Sequence, residues 1–401
     1  MLDMIRGTAV TKLEPGQLTQ AVGATEVPTY VIKDVCGNLL ERFNIKLEIP
    51  GLLFIDSPGH AAFTSIRKRG SSIADLAILV VDITEGIQEQ TDESIKILKE
   101  FKTPFLVAAT KIDKVEGWIP NSKSCFLDSF DKQPEWVRQR LDDRFYKLVG
   151  QFSERGFDSE RFDRVTDFKN TVAIIPCSGV TGEGVPELLV MLAGLAQAFL
   201  KDQLEVSKGI GRGSILEVKE MKGMGTTLDV ILYDGEIRKG DWIVIGGKEP
   251  IVTRVKALLK PRPLKEIRVE KQFENIDYVF AASGIKISAP GLEGAIAGSP
   301  IVFVSDESKV DGIKKELQSM TQEIEFEKEG EGAILKADNL GGLEALIGIF
   351  KEKVPIKKAE IGKVFRKDVI EVENVKDRLK RVIVAFNVDI DDIAAKEAKD
   401  K

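Results

Sequence analysis

The chain has 401 residues, 43% hydrophobic and 30% charged, enough to bury several cores in about two to four domains. Its net charge of −6 argues against generic nucleic-acid binding and confines any such contact to local basic patches. Cys36, Cys125 and Cys177 show no Cys-x-x-Cys spacing and read as structural thiols rather than a zinc or disulfide framework. No apolar run approaches the roughly 18 residues of a membrane span, and the start of the chain has no signal-peptide profile, so a soluble, cytoplasmic protein is expected.

The first informative element is the apolar run Gly51-Leu52-Leu53-Phe54-Ile55, which leads into Asp56-Ser57-Pro58-Gly59-His60 and contains the only histidine. A carboxylate at the carboxyl end of a parallel strand can hold Mg²⁺ through water. Gly59 lets a backbone N–H approach a phosphate oxygen with no Cβ in the way. Hydrolysis of a phosphoanhydride needs an in-line water, and His60 is suited to orient one. The bland alternative is a Ser-Pro-Gly turn beside a surface histidine.

Residues 91–101 carry a helical pattern. The next apolar run, Phe105-Leu106-Val107-Ala108-Ala109, enters Thr110-Lys111-Ile112-Asp113. There Asp113 can accept two hydrogen bonds from a guanine edge while the Lys111 stem covers the ring, which selects guanine over adenine. A third run, Thr171-Val172-Ala173-Ile174-Ile175-Pro176, leads into the turn 178–184, with Ser178, Gly179 and Val180 at its start. Its amides can meet the guanine oxygen before a helix opens near Val185. Each of these reads equally well alone as a plain strand-to-helix loop. Three in series at successive strand ends point to a guanine-nucleotide site.

Residues up to about 200 alternate apolar strands with helical stretches, as expected of a parallel sheet covered on both faces. From about Gly211 short strands such as 228–232 and 242–245 alternate with Asp234-Gly235 and Gly246-Gly247 turns, which reads as a β-barrel to about Ser305. Alternation then resumes with strands at 333–337, 356–362 and 382–386 and a helix over 341–350. Basic runs at Arg67-Lys68-Arg69, 256–271 and 376–381 read as solvated faces or as local contacts to RNA phosphates.

These motifs, with Gly23-Ala24-Thr25-Glu26-Val27-Pro28, Val81-Asp82-Ile83, Gln90-Thr91 and the insertion from about Glu116 to Asp167, resemble the translational GTPases, and specifically the initiation factor 5B branch of archaea and eukaryotes, relatives of bacterial initiation factor 2. The resemblance covers the whole chain. It implies an α/β fold, a P-loop GTPase-type doubly wound sheet, followed by a β-barrel and an α/β/α domain, with domains at 1–205, 206–306 and 307–401. It implies GTP/GDP and Mg²⁺ as ligands, His60 as the catalytic residue, and Thr19 and Asp56 at the metal. Gly59, Thr110, Lys111, Asp113, Ser178, Gly179 and Val180 would bind the nucleotide. The partners it implies are both ribosomal subunits, initiator methionyl-tRNA and another initiation factor. Three departures stand out: Gly16-Gln17 for Gly-Gly, Thr110 for asparagine and Gly179 for alanine.

No Gly-x-x-x-x-Gly-Lys-Ser/Thr occurs in the sequence. The segment Met1-Leu2-Asp3-Met4-Ile5-Arg6-Gly7 resembles the helix that follows that loop in the family. The expectation is therefore a fragment that begins past the phosphate loop, ends before the family's final barrel, and does not hydrolyse GTP unaided. A nucleotide-independent ribosome-binding scaffold and another translational GTPase of elongation or tRNA-delivery type stay open as alternatives.

Overall fold

The computed structural model describes residues 4–5, 23–56, 67–68, 71–72, 74–122, 124–200, 209–221, 223–261, 273–322, 326–327, 331–351, 353–375 and 377–399. Thr19, Gly59, His60 and the segments 201–208 and 262–272 lie outside them.

The chain first forms an antiparallel pair, β1 (Gly23–Pro28) with β2 (Gly51–Asp56), in register from Gly23↔Asp56 to Pro28↔Gly51. Helix α1 (Thr29–Cys36) lies between them and turns Ile32 and Cys36 inward. Side chains alternate across a strand, and here the alternation serves two cores. Val27, Leu52 and Phe54 face the first core, while Ala24, Leu53 and Ile55 meet Ile231, Tyr233 and Phe273 of the next region. Asp56 was expected at the end of a parallel strand; among the described residues β2 pairs with β1 alone, antiparallel, and is half-buried along its length. An apolar run reports burial but not the direction of its partner strand.

A separate parallel sheet follows in the order β3-β4-β6-β5, built from β3 (Ala77–Asp82), β4 (Phe105–Thr110), β5 (Asp158–Arg161) and β6 (Thr171–Pro176). β4 and β6 read as unbroken apolar runs because both sheet faces are covered, and residues 106–109 are fully buried. The covering helices include α2 (Glu89–Glu100), α3 (Phe126–Asp131), α4 (Glu135–Glu154) and α5 (Val185–Leu200). Helix α4 buries Val137, Leu141, Phe145, Leu148 and Phe152, a spacing of three and four that lays one stripe against the core. Each such fully buried side chain contributes about 1.5–3 kcal/mol.

The second region is an eight-stranded antiparallel sheet. Its strands are β7 (Ile210–Met221), β8 (Gly225–Asp234), β9 (Trp242–Ile245), β10 (Ile251–Arg254), β11 (Ala257–Pro261), β12 (Phe273–Ile276), β13 (Ser283–Ser288) and β14 (Pro300–Val304). They run in the order β10-β9-β14-β7-β8-β13-β11-β12. Inward residues from strands far apart in that order, among them Ile243, Ile301, Leu228, Ile285 and Leu258, share one core, so the sheet curls over it. Helix α6 (Val310–Gln322) packs Val310, Ile313 and Leu317 onto Val244, Val302 and Val304 of this sheet.

In the third region β15 (Ala333–Ala337) pairs in parallel with β16 (Ile356–Ile361) and β17 (Ile383–Phe386). Helix α7 (Leu340–Phe350) opens on Asn339, whose side chain accepts from Gly342 N at 2.8 Å. One sheet face carries Leu335, Ala337 and Ala359 into an apolar core with α7. The other carries Lys336 and Lys358 to Asp368 and Glu371 of α8 (Arg366–Glu373). Helix α9 (Asp392–Lys399) packs against α8.

Candidate nucleotide-binding site

The parallel sheet brings two of the sequence motifs together at its carboxyl edge, where α/β folds bind ligands. β4 ends at Thr110, whose buried hydroxyl donates to Val81 O at 3.0 Å and is thereby committed to the neighbouring strand. The backbone then reverses at Lys111, held at φ 65°, and makes one 3₁₀ turn over Ile112–Lys114. A left-handed non-glycine residue persists only where its surroundings hold it. Two bonds do so here, Lys114 N to Lys111 O at 3.0 Å and Ile112 N to Cys177 O at 3.4 Å, with Ile112 fully buried as the anchor. Cys177 N donates in return to Ala109 O at 2.8 Å, so the loops after β4 and β6 are stitched to each other.

Ser178 is the hinge of this corner. Its hydroxyl donates to Asp113 Oδ1 at 2.5 Å and accepts from Val180 N at 3.2 Å and Thr181 N at 3.1 Å. Gly182 N closes the turn on Ser178 O at 3.0 Å. The Gly179 N–H has no acceptor among the described residues. The corner therefore presents an oriented carboxylate, a loop amide available to a ligand oxygen, and the exposed Val180. That set of groups complements the edge of a base offering two N–H donors and one carbonyl.

Lys111 Nζ lies 2.6 Å from Asp82 Oδ2 at the end of β3, and Asp82 also accepts from Thr84 N at 2.9 Å and Thr84 Oγ1 at 2.7 Å. Burial works against the charge on Asp82, but the Lys111 and Thr84 donors outweigh it and hold the carboxyl below its usual range. The Asp82 carboxylate in turn holds the Lys111 ammonium above its usual range.

Behind the loop lies a group that the sequence reading did not single out. Glu183 is fully buried and accepts from four donors: Trp118 Nε1 at 3.2 Å, Asn121 N at 3.0 Å, Thr181 Oγ1 at 2.6 Å and Ser129 Oγ. The glutamate in Thr181-Gly182-Glu183-Gly184, flanked by glycines, was the available signal. Gly184 sits at φ 74°, and a Cβ there would stand 2.2 Å from Pro176 O, so the loop can close onto β6 only with glycine at this point.

Of the remaining candidates, Asp56 ends the β1/β2 pair, and Thr19, Gly59 and His60 lie outside the described residues. Among the described residues no group of three His, Cys, Asp or Glu side chains comes together to hold a metal ion. The Mg²⁺ site expected of Thr19 and Asp56 is therefore not formed by described residues alone. The cysteines fit a structural reading: burial first, with nearby Glu187 adding to it, pushes Cys36 up to about 12 and Cys125 up to about 11, and burial pushes Cys177 up to about 12. Among the described residues no helix is long and apolar enough to cross a membrane.

Comparison with known proteins places the chain among relatives of shared sequence and fold. Residues 17–198 match the family model of the elongation factor Tu GTP binding domain, and residues 306–401 match that of translation-initiation factor 2. A probable translation initiation factor IF-2 of Methanopyrus kandleri is 54% identical over 396 residues, covering 97% of this chain and 66% of the relative. Its counterpart in Archaeoglobus fulgidus is 48% identical over 402 residues, covering 100% of this chain and 67% of the relative. The crystal structure of GDP-bound aIF5B from Aeropyrum pernix superposes with a TM-score of 0.85 at 46% identity, covering 100% of this chain and 68% of that one. The chain thus spans about two thirds of the length of the relatives it matches.

Proposed function

The chain belongs to the translation initiation factor IF-2/5B family of translational GTPases, and on that premise we propose that the corner formed by Asp113, Ser178 and Gly179 binds the guanine of GTP and GDP. We further propose that the whole protein is a cytoplasmic, GTP-dependent initiation factor that promotes ribosomal subunit joining and initiator tRNA placement and hydrolyses GTP on the ribosome. The observation that carries the first reading is the Ser178 hydroxyl fixing Asp113 at 2.5 Å beside a Gly179 amide with no acceptor among the described residues. The Aeropyrum pernix relative is GDP-bound, which supports the same assignment.

In this reading Asp113 accepts from the ring N–H and the exocyclic amine of guanine, and the Gly179 N–H donates to the base oxygen. Lys111 leaves Asp82 and lays its stem over the ring. Thr110 supports the corner from the sheet and does not reach the base, because its hydroxyl is used on Val81. For turnover we assign His60 to orient the attacking water, Gly59 to offer an amide to the terminal phosphate, and Thr19 and Asp56 as the residues that would hold Mg²⁺. Bound Mg²⁺ neutralises charge on the phosphate oxygens. Loss of the terminal phosphate would release the segment after β2, and β2 also packs through Leu53 and Ile55 on the second region, which gives the switch a route into the rest of the protein. Both ribosomal subunits, initiator methionyl-tRNA and a further initiation factor are the proposed partners, and 1–205, 206–306 and 307–401 the proposed domains.

The test is Asp113→Asn. An amide cannot accept both guanine donors but can donate to the extra carbonyl of xanthine. Calorimetry should show GDP affinity falling by at least about 100-fold and xanthosine diphosphate binding appearing. Equal GDP binding by the wild type and the variant would overturn the assignment. In the complete protein His60→Ala should keep GTP binding and lose ribosome-stimulated hydrolysis.

A further inference from the structure

We infer that Glu183 is a positioning residue for recognition of the base oxygen, and that the segment 118–133 sets the shape of the guanine-reading loop through it; this rests on the guanine assignment above. Three observations lead there. Glu183 is fully buried, and among the described residues no lysine or arginine pairs with it. Its partners are neutral donors from two places: Trp118, Asn121 and Ser129 on one side, and Thr181 of the loop itself on the other. The same segment grips the loop backbone again, since Ser122 Oγ donates to Thr181 O at 3.3 Å and Gly184 N donates to Ser124 O at 3.3 Å.

The segment is itself framed so that it can act as a rigid jaw. Gln133, nearly fully buried, accepts from Ile119 N at 2.8 Å and donates to Ile119 O at 2.8 Å and Ser129 O at 3.1 Å. Trp118 stacks on Phe126 with ring planes 2° apart. A buried carboxyl group needs donors for its oxygens, because a bond left unmade there costs the full desolvation of the group. Glu183 gathers four such donors at one point. The backbone of the same residue completes the connection, because Glu183 O accepts from Ser178 N at 2.8 Å. Ser178 thus receives its place from Glu183 and hands it on to Asp113, Val180 and Thr181, leaving the Gly179 amide at the front of the loop.

A purely structural role and a positioning role differ in what they do to the base. Positioning acts on the loop that meets the oxygen at the six position, so it must alter discrimination for that atom, whereas loss of packing alone weakens every nucleotide alike. The probes are GDP and 6-thioguanosine diphosphate, which keeps the ring N–H and the amine read by Asp113 and replaces that oxygen with sulfur, a much weaker acceptor. Glu183→Ala removes the junction, and Thr181→Val cuts only the side-chain link from the Glu183 carboxyl to the loop while leaving its three other donors. In the full 401-residue chain, both variants should lose about 10-fold in GDP affinity with less than about twofold change for the analogue. Unchanged GDP binding, or equal losses for both nucleotides, overturns the inference. Amide hydrogen exchange in the absence of nucleotide separates it from the guanine assignment. Loss of protection at Val180, Thr181 and Gly182 in Thr181→Val, with residues 137–148 still protected, supports positioning even if the wild type binds no guanine nucleotide. Unchanged loop protection overturns it in either case.

Discussion

Glu183 in the first region and Asp368 in the third are both fully buried carboxylates at the junction of two segments, yet their surroundings differ in kind. Glu183 is held by the indole and backbone N–H groups of Trp118 and Asn121 and by the hydroxyls of Ser129 and Thr181. Asp368 sits in a cage of cations, with Lys336 Nζ at 3.1 Å and Lys358 Nζ at 3.3 Å, plus Phe365 N at 2.9 Å. Glu360 and Glu371 extend that cage, Glu360 to Lys336 at 2.6 Å and Glu371 to Lys358 at 3.2 Å. Burial alone would favour discharging Lys358, but Glu371, Glu360 and Asp368 outweigh it and hold the ammonium above its usual range. Burial likewise opposes the charge on Glu360, and Lys336 and Lys358 overcome it. Neutral, directional donors specify the shape of a loop, whereas opposed charges lock two packed layers together.

The comparison can be broken most strongly in the cage. Asp368→Ala leaves two buried lysines short of a partner and uncaps Phe365 N, so denaturant unfolding should show the variant about 3–5 kcal/mol less stable; a loss below about 1 kcal/mol would mean that the cage is solvated. Glu187 sharpens the contrast as a buried carboxylate with neither solution. It accepts from Leu127 N at 3.4 Å, and its second oxygen has no partner among the described residues. Burial pushes its carboxyl up from 4.5 to about 7. The folded state therefore keeps a proton that the unfolded chain releases, and stability present below pH 4.5 is lost as pH rises towards 7, by about 3 kcal/mol in all. Glu187→Gln should flatten that slope between pH 4.5 and 7 in denaturation curves, and an unchanged slope would place the charge elsewhere.

Smaller effects probe the nucleotide corner. Gly184→Ala forces a Cβ against Pro176 O at positive φ and should cost about 2 kcal/mol, seen as a lower thermal midpoint, with protection lost in residues 178–184 first. Thr110→Val keeps the shape of the side chain and removes its bond to Val81 O, for about 1 kcal/mol, while leaving GDP affinity within about threefold. A larger loss of GDP affinity in that variant would show that Thr110 reaches the base after all.

The parts of this architecture that follow from local chemistry were legible in the sequence. The apolar runs before Thr110 and Ser178 became β4 and β6, and their parallel pairing brought Asp113 and Ser178 together. What stayed hidden depends on contacts between distant segments. Nothing in Gly51-Leu52-Leu53-Phe54-Ile55 states that it pairs antiparallel with β1 or divides its side chains between two cores. A glutamate between two glycines reads as a polar turn until Trp118, Asn121 and Ser129 arrive around it from 54 or more residues earlier. Lys336 and Lys358 look like outward strand positions until α8 covers them with Asp368 and Glu371. The Lys111 ammonium rests on Asp82, a partner that only the alignment of β3 with β4 supplies.

The most direct measurement is a calorimetric titration of the 401-residue chain with GDP and, separately, with ADP. The account predicts binding of GDP with at least about 100-fold preference over ADP, because adenine offers Asp113 no ring N–H and Gly179 no carbonyl. Equal affinity for the two nucleotides, or binding of neither, would contradict a guanine site built from Asp113, Ser178 and Gly179.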